Sequence, residues 1–343
     1  MRASVFLLFF CLYCGYCSAA APAPKTPPKP ETTPSAPPPQ LFCILGGQSG
    51  KPFGDLASFK SVVWKNDIVY AGETADGSKD QQARLEILKT MREARGSKIA
   101  VGFDALDSSL QPVLDDYTAG KIPEEEFLQR TGWRSRSGAD FALYRPIFDF
   151  VIRNGLRALA LNVPRELISK IEREGLSGLS DEDKKLLPAQ ITVSKNKKYL
   201  EFLKTSFPGA GAAVEGTPAW ENYLAAASSW NEGAGTRIAD FVNLNPGWEV
   251  LVAAGNARLV YNAALPASVK SRTVKIRQAS FYADTAAKCP ETLPAAHKDI
   301  ANYIWYTNGP KKPGQAALPA AASVAPAAAP SPAAGRTISP AAQ

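Results

Sequence analysis

Residues 67–76 read Asp67-Ile68-Val69-Tyr70-Ala71-Gly72-Glu73-Thr74-Ala75-Asp76, and this stretch decides the expected fold. The uncharged run Ile68–Ala71 predicts a short buried strand, and Gly72 allows the chain to turn directly after it. The carboxylates Glu73 and Asp76 then follow in a polar turn. Because ligand-binding residues of open α/β sheets collect at the carboxyl ends of strands, we expect a binding site at this position.

Short apolar runs alternate with helical patterns along the central part of the chain. Leu85, Leu88 and Met91 recur at helical spacing, and residues 110–117 predict a second helix. Further strands are predicted at residues 98–103, 156–163, 248–254, 274–282 and 302–306. This alternation predicts an α/β fold with a mostly parallel sheet flanked by helices. Residues 120–240 are helical in pattern apart from one strand, which predicts a smaller helical sub-domain.

The two ends of the chain differ in composition from the 41–309 body. Residues 1–20 combine an early arginine, a short apolar run and small residues, which predicts an export signal cleaved after Ala20. Residues 21–40 hold nine prolines and predict a disordered linker, and the Pro/Ala-rich residues 310–343 predict a disordered tail. After signal removal no transmembrane helix is expected. The protein is predicted to be exported, and to be periplasmic, secreted or attached to the cell surface.

Cysteine content agrees with an exported protein. Cys11, Cys14 and Cys17 lie in the signal segment, where lipid attachment is an alternative to simple cleavage. Cys43 and Cys289 are the two that remain in the body, and they either form a disulfide or stay as separate buried thiols. Sequence alone does not decide between these alternatives.

The charge distribution excludes one class of partner. The formal net charge is +7, but most of the excess lies in the terminal segments, so the body is nearly neutral. Its lysines and arginines form no stripe interleaved with aromatic residues. Nucleic acid binding is therefore not expected.

A series of short motifs runs through the body in a defined order. They read Gly72-Glu73-Thr74-x-Asp76, Gln111-Pro112-Val113-Leu114, Gln129-Arg130-Thr131-Gly132-Trp133, Tyr144-Arg145-Pro146-Ile147, Leu161-Asn162-Val163-Pro164-Arg165, Gly175-Leu176 and Ala254-Gly255-Asn256. Across roughly residues 60–265, this series resembles the ChaN-like haem-binding lipoproteins. Their superfamily includes the Tiki metalloproteases and the erythromycin-esterase-like enzymes. The resemblance implies an exported α/β domain that binds haem in iron acquisition, with a homodimer sharing the haem as one arrangement.

The chain departs from the family pattern at its histidines. The family's Gly-Glu-Thr-His-Asp motif has Ala75 in the histidine position here, and a second expected histidine falls near residues 80 and 81. The late Gly-Asn-Gly-His motif ends in Arg258, and Asp104 stands where a glutamate is usual. The family's Trp-Asp-Glu-x-Met run is replaced by Trp230-Asn231-Glu232-Gly233-Ala234.

These replacements change the chemistry that the site can support. A metal hydrolase needs histidine and carboxylate ligands around an open coordination position, and a guanidinium at residue 258 repels a divalent cation. The sequence therefore assigns no metal ligand and no catalytic residue. Haem remains compatible, because iron accepts a tyrosinate and arginine binds propionates. Tyr70, Tyr144 and Tyr261 are candidate iron ligands, whereas His297 is expected to be an incidental surface residue.

The candidate ligand-binding residues come from the strand ends and from the motifs. They are Glu73, Asp76, Asp104, Tyr144, Arg145, Asn162, Arg165 and Arg258. They would bind haem or a small anionic molecule, or they would neutralise one another as a structural network. The leading hypothesis is a non-catalytic binding protein with haem as its ligand. A divergent hydrolase and a structural surface domain with a degenerate site are the alternatives.

Overall fold

Strands from the whole length of the body form one seven-stranded sheet with the order β1-β7-β6-β2-β5-β3-β4. The computed structural model describes residues 43–53, 55–74, 78–207, 214–286 and 288–308, and these belong to one compact unit. The strands are β1 (Cys43–Gly46), β2 (Ile68–Ala71), β3 (Ile99–Asp107), β4 (Arg157–Asn162), β5 (Glu249–Ala253), β6 (Gln278–Ala286) and β7 (Tyr303–Asn308). Each predicted strand is therefore present, with boundaries shifted by a few residues.

All neighbouring strands run parallel except β1, which pairs antiparallel with β7 at the edge of the sheet. Strand β2 lies between β5 and β6, with Tyr70 opposite Val252 on one side and Ser280 on the other. Every residue of β2 and β5 is buried. Strands covered on both faces are apolar throughout, and this explains their uninterrupted hydrophobic runs. The predicted α/β fold with a mostly parallel sheet is confirmed.

Helices cover both faces of this sheet. They are α1 (Leu56–Lys65), α2 (Ser78–Arg95), α3 (Gln111–Thr118), α4 (Glu124–Thr131), α5 (Trp133–Ser137), α6 (Phe141–Arg153), α7 (Arg165–Glu174), α8 (Asp181–Lys185), α9 (Lys197–Ser206), α10 (Pro218–Leu244) and α11 (Leu265–Arg272). Thr217 caps the 27-residue helix α10 by accepting a hydrogen bond from the Trp220 amide, and Pro218 occupies its first turn.

Aromatic side chains build the core between the sheet and helices α2 to α6. Phe103 of β3 stacks on Phe148 of α6 with ring centroids 4.4 Å apart, and Tyr117 stacks on Phe127 at 4.3 Å. Each such ring removes a large apolar area from water, and the ring pairs add directional packing. This core fixes the position of α6, the helix that carries Tyr144.

Helix α10 covers the opposite face. Its residues Ala234, Ile238 and Val242 pack against buried side chains of β2, β3 and β5. A Cβ on Gly233 would lie 2.3 Å from Cγ2 of Val163, so the glycine allows α10 to approach the end of β4 closely. The helices predicted between residues 120 and 240 are present, but they are divided between the two faces of the sheet.

A disulfide crosslinks the edge of the sheet at β1. Cys43 of β1 and Cys289 are joined by a disulfide, with Cα atoms 5.5 Å apart. Nearby, His297 is only 3% exposed, and its Nδ1 lies 2.7 Å from the Tyr306 hydroxyl. Nε2 of His297 lies 3.3 Å from a carboxylate oxygen of Asp284. The expectation that His297 is an incidental surface residue is therefore wrong, because the loop that carries it packs onto β6 and β7.

Several sequence predictions fall outside the described residues. These are the signal segment 1–20, the linker 21–40, the tail 310–343 and the pair Ala75 and Asp76. Within the described part of the chain, none of the helices has both the length and the apolar character required to cross a membrane.

Glu249 gives the fold an expected pH dependence. It is 1% exposed at the start of β5, where one carboxylate oxygen accepts a hydrogen bond of 2.5 Å from Nε of Arg95. Burial raises the pKa of Glu249 to about 7, against the opposing effect of Arg95. From its ordinary pKa up to about 7, the unfolded chain releases a proton that the folded chain retains, so stability falls as pH rises through this window.

We expect Glu249→Gln to remove this loss, because glutamine cannot ionise and still offers an oxygen to Arg95. Relative to the parent, the variant should gain about 1–2 kcal/mol in unfolding free energy between pH 5 and pH 8, after allowance for solvent screening. Urea unfolding at several pH values measures the difference. Glu221→Gln, at an exposed position of α10, is the control. A constant difference between Glu249→Gln and the parent across this range would contradict the assignment.

Candidate functional site

The carboxyl ends of four neighbouring strands bring polar side chains and a backbone amide together. Strands β2, β5, β3 and β4 are adjacent in the sheet, and directly after or within their last residues come Glu73, Gly255, Asp104 and Asn162. Because the strands are parallel, these residues meet at one edge. We call this group, with its buried arginine partners, the strand-end cluster.

Arg84 of α2 is the central cation of the strand-end cluster. It is 1% exposed, and its guanidinium donates hydrogen bonds to the carbonyl oxygens of Ala71 at 3.1 Å and Ala254 at 2.8 Å. It also forms an ion pair with Glu73. Burial alone would lower the pKa of Arg84, but the Glu73 carboxylate holds it above the usual value. One side chain thus satisfies carbonyl oxygens at the ends of two strands and pairs with the half-buried carboxylate of Glu73.

Tyr144 of α6 binds the same carboxylate. Its hydroxyl donates to Glu73, with oxygen distances of 2.6 and 2.8 Å. The ring lies against Trp133, with centroids 5.1 Å apart. Burial, followed by the negative charge of Glu73, raises the pKa of Tyr144 well above its ordinary value. The phenol is therefore held neutral as a hydrogen-bond donor.

Asp104, at the end of β3, connects β3 to the loop after β5. One of its carboxylate oxygens accepts a 2.8 Å hydrogen bond from the Gly255 amide. Burial raises the pKa of Asp104, while Arg258 and this hydrogen bond act in the opposite direction. Asn162 of β4 donates its side-chain amide to the Asp104 carbonyl. The ends of β3, β4 and β5 are thus joined through side chains.

Arg258, at the position where the resemblance leads us to expect a histidine, is buried. Its guanidinium donates to the side-chain oxygens of Asn162 and Asn231, and to the Trp230 carbonyl at 2.8 Å. It also lies over the Trp230 ring, 5.8 Å from the centroid. Burial lowers the pKa of Arg258 to about 10. All three guanidinium nitrogens of Arg258 therefore donate to protein acceptors.

The loop after β2 is packed too tightly for any side chain at residue 72. A Cβ on Gly72 would lie 2.1 Å from Oδ1 of Asn256 and 2.9 Å from the Phe281 carbonyl oxygen. Asn256 cannot move aside freely, because its amide makes two hydrogen bonds to the backbone of Ala283, at 2.8 and 3.0 Å. This explains the glycine and the asparagine of the two motifs.

Two predicted ligand residues lie in different surroundings. Arg145 is on the exposed side of α6, where it pairs with Glu124. Arg165 begins α7, and its guanidinium donates to the Arg136 carbonyl at 3.1 Å. The structure thus brings Glu73, Asp104, Tyr144, Asn162 and Arg258 into connected hydrogen-bond networks. It does not connect Arg145 to them, and Asp76 lies outside the described residues.

Residues 80 and 81, near which the resemblance places a second histidine, are polar and buried. Asp80 is 2% exposed, and one of its carboxylate oxygens accepts hydrogen bonds of 2.7 Å from both the amide and the hydroxyl of Thr74. Burial raises the pKa of Asp80. Its neighbour Gln81 is also buried. Asp80 therefore stabilises the turn after β2 instead of offering an imidazole.

The three candidate tyrosines differ in accessibility. Tyr70 is fully buried and its hydroxyl donates to Gln278 at 2.5 Å, while Tyr144 is held by Glu73. Tyr261 is half-buried, in the 3₁₀ turn Val260–Asn262. Its φ of 58° is in the left-handed region, and the ammonium of Lys198 lies 5.8 Å from the ring centroid. Of these three tyrosines, Tyr70 and Tyr144 are buried and Tyr261 is half-buried.

Sequence reasoning missed Arg84, which organises the cluster. The available signal was its position four residues before Leu88 and seven before Met91, on the apolar face of α2. An arginine on such a face must find buried acceptors. Among the described residues, no group of three or more histidine, cysteine, aspartate or glutamate side chains is arranged to hold a metal ion.

The two glycines of these loops allow a matched test of the packing. We expect Gly72→Ala to destabilise the protein by about 2–4 kcal/mol, because the new methyl group displaces the buried Asn256 side chain. Gly255→Ala should change stability by less than about 1 kcal/mol, since the nearest atom to its Cβ is 4.0 Å away. Thermal and urea unfolding of both variants measure the difference. Equal effects of the two substitutions would show that the close approach at residue 72 does not constrain the loop.

Solved structures with related folds include ChaN of Campylobacter jejuni, a structure described as showing cofacial haem binding. It matches with a TM-score of 0.59 and 15% identity, over 79% of this chain and 98% of that chain. The type III effector HopBA1 matches with a TM-score of 0.41 and 11% identity, over 74% and 93%. An erythromycin esterase, EreC, matches at 0.40 and 12%, over 77% and 83%. The first of these likenesses confirms the fold.

A search of curated protein sequences finds no significant match. A family profile described as haem-binding uptake, Tiki superfamily, ChaN matches residues 61–269, which is more than half of the chain. The matched region contains β2 to β5 and the whole strand-end cluster. On this evidence the chain belongs to the ChaN family of haem-binding uptake proteins in the Tiki superfamily.

Proposed function

We propose that this protein is an exported, non-catalytic haem-binding protein in which Tyr261 is the iron ligand. The observation that carries the proposal is that Tyr261, unlike the candidate tyrosines Tyr70 and Tyr144, is half-buried and not buried; it lies three residues after Arg258. Family membership supports haem as the ligand class, and haem iron accepts a tyrosinate in other proteins.

The surroundings of Tyr261 fit a haem group in two respects. Lys198 carries a positive charge 5.8 Å from the ring centroid, and its ammonium, which also pairs with Asp299, has further donors for a propionate. The partly buried apolar residues Leu200, Phe207 and Ala257 belong to the same hydrophobic cluster as Tyr261. When bound, haem would supply the iron centre. The protein's own residues would hold it through the phenol, the ammonium and apolar contact.

Backbone geometry at this site also supports a functional role. Tyr261 and Asn262 have consecutive positive φ values of 58° and 52°, a conformation that non-glycine residues adopt at an energetic penalty. Asn262 is held by accepting a 2.6 Å hydrogen bond from the Ser280 hydroxyl. Strained positions of this kind concentrate at binding sites, where the surrounding structure holds a side chain in one orientation.

The strand-end cluster supports a non-catalytic role. A hydrolase would need a carboxylate free to bind a metal or to activate water. Glu73 instead pairs with Arg84 and Tyr144, and Asp104 accepts from Gly255. Arg258 makes its hydrogen bonds to asparagine and backbone oxygens, so a small anionic ligand would have to displace protein acceptors. These residues are better suited to maintaining the scaffold than to catalysis.

Export and assembly belong to the same proposal. The N-terminal signal pattern and the Cys43–Cys289 disulfide both favour an oxidising compartment outside the cytoplasm. A site on a surface turn leaves one face of the haem available to a second copy of the chain. We therefore include a haem-dependent homodimer in the proposal, with iron acquisition as its role.

Haem titration tests the proposal. We expect a Soret shift when the purified protein is titrated with micromolar haem, and Tyr261→Phe should weaken binding by about tenfold or more because it removes the iron ligand. Tyr303→Phe is the matched control, since Tyr303 is also half-buried but lies on β7. Sedimentation of the same samples reports any dimer.

Two results would count against this function. Absence of a spectral change in the parent protein would remove haem as the ligand. If the parent and Tyr261→Phe bind haem with equal affinity, Tyr261 is not the iron ligand.

A further inference from the structure

The segment Cys289–Asn302 connects the disulfide to the proposed ligand turn. At one end, Cys289 is bonded to Cys43 of β1. At the other end, the Asn302 carbonyl accepts from the Gly47 amide at 2.8 Å, and the Asp299 amide donates to the Gly47 carbonyl at 2.9 Å. The segment is thus held to the β1 end of the chain both covalently and by backbone hydrogen bonds.

The same segment supports Tyr261 directly. The Tyr261 amide donates a 2.5 Å hydrogen bond to the Ile300 carbonyl. Asp299 pairs with Lys198 at 3.1 Å, and the Lys198 ammonium is the charge that lies over the Tyr261 ring. The left-handed turn at Tyr261 therefore depends on two adjacent residues of the segment, one for its backbone and one for the position of its cation.

We propose that the Cys43–Cys289 disulfide is a redox-sensitive clasp on the Tyr261 turn, so that reduction loosens the turn and weakens ligand binding there. The effect on binding rests on the proposed function. The mechanical coupling rests only on the contacts described above. The partner that would reduce this disulfide is an exported protein or small molecule with two thiols.

The exposure of the two cysteines decides which sulfur atom the reductant attacks. Cys289 is exposed, whereas Cys43 is 9% exposed. A thiolate of the dithiol therefore attacks Sγ of Cys289, the disulfide breaks, and Cys43 leaves as a thiolate that takes up a proton. The second thiol of the reductant then attacks the mixed disulfide and releases Cys289. Two electrons and two protons pass to the protein, and the dithiol becomes a disulfide.

Other contacts keep the protein folded when the clasp opens. His297 is anchored to Tyr306 and Asp284, and Ile300 is fully buried. These contacts keep the segment associated with β6 and β7 without the crosslink, but they do not replace the covalent restraint on its Cys289 end. Loss of the disulfide therefore increases the motion of the segment from that end, and it also removes a constraint on the unfolded chain across a sequence separation of 246 residues. We therefore expect local loosening at Tyr261 while the sheet remains intact.

Hydrogen exchange on the full chain tests the clasp without any ligand. Every sample carries serine in place of Cys11, Cys14 and Cys17, so that a single cysteine pair can respond. We expect the Tyr261 amide to exchange about tenfold faster after reduction with dithiothreitol, and also in the C43S/C289S variant. The Leu251 amide of β5 is the internal control and should not change. An unchanged Tyr261 amide, with both thiols shown to be free, would overturn the proposal.

Haem affinity of the oxidised parent and of C43S/C289S completes the test. We expect the variant to bind about tenfold more weakly. Equal affinities would overturn the redox control of binding. If neither protein binds haem, the proposed function fails, and faster exchange at Tyr261 would still support the clasp. Using the variant in this titration avoids contact between haem and the reductant.

Discussion

The structure depends on one buried guanidinium at the carboxyl end of the sheet. Strands β2 and β5 both end inside the protein, and their last carbonyls cannot reach water. Arg84 donates to Ala71 and Ala254 and pairs with Glu73, which in turn accepts from Tyr144. Removing any member would leave a buried polar group without its partner, and such a loss is more costly than the net gain from forming the contact. The first motif of the chain therefore maintains the scaffold.

Arg258 extends the same arrangement across the sheet. A histidine at this position could bind a metal or haem iron, whereas the arginine donates to Asn162, Asn231 and Trp230. The cluster has thus become a closed network in which the charged groups neutralise one another. The ligand site that we propose therefore lies outside this cluster, at the turn of Tyr261. This accounts for a family member that keeps the fold while it lacks the family histidines.

The β1 edge adds a second constraint that is remote in sequence from the cluster. Cys43 lies opposite Tyr306 in the sheet, and Tyr306 contacts His297 in the segment that begins at the disulfide. The β1 edge therefore combines a short antiparallel strand, a crosslink and a buried histidine. Through Asp299 and Ile300 this edge also contacts the Tyr261 turn, so the edge of the sheet and the proposed ligand site are mechanically linked.

The sequence by itself determined the α/β fold, the positions of six of the seven described strands and the series of motifs that indicate the family; the short edge strand β1 was not predicted. It also predicted that Glu73 and Asp104 lie at neighbouring strand ends with Arg258 near them, because residues that follow parallel strands meet at one edge. It did not reveal Arg84 as their partner, the burial of His297, or the separation of Arg145 from the cluster. Periodicity reports which side of an element faces the core, but ion pairs and accessibility depend on which elements meet. Only the tertiary structure decided that Tyr70 and Tyr144 are buried while Tyr261 is half-buried, because exposure depends on which elements pack over a side chain.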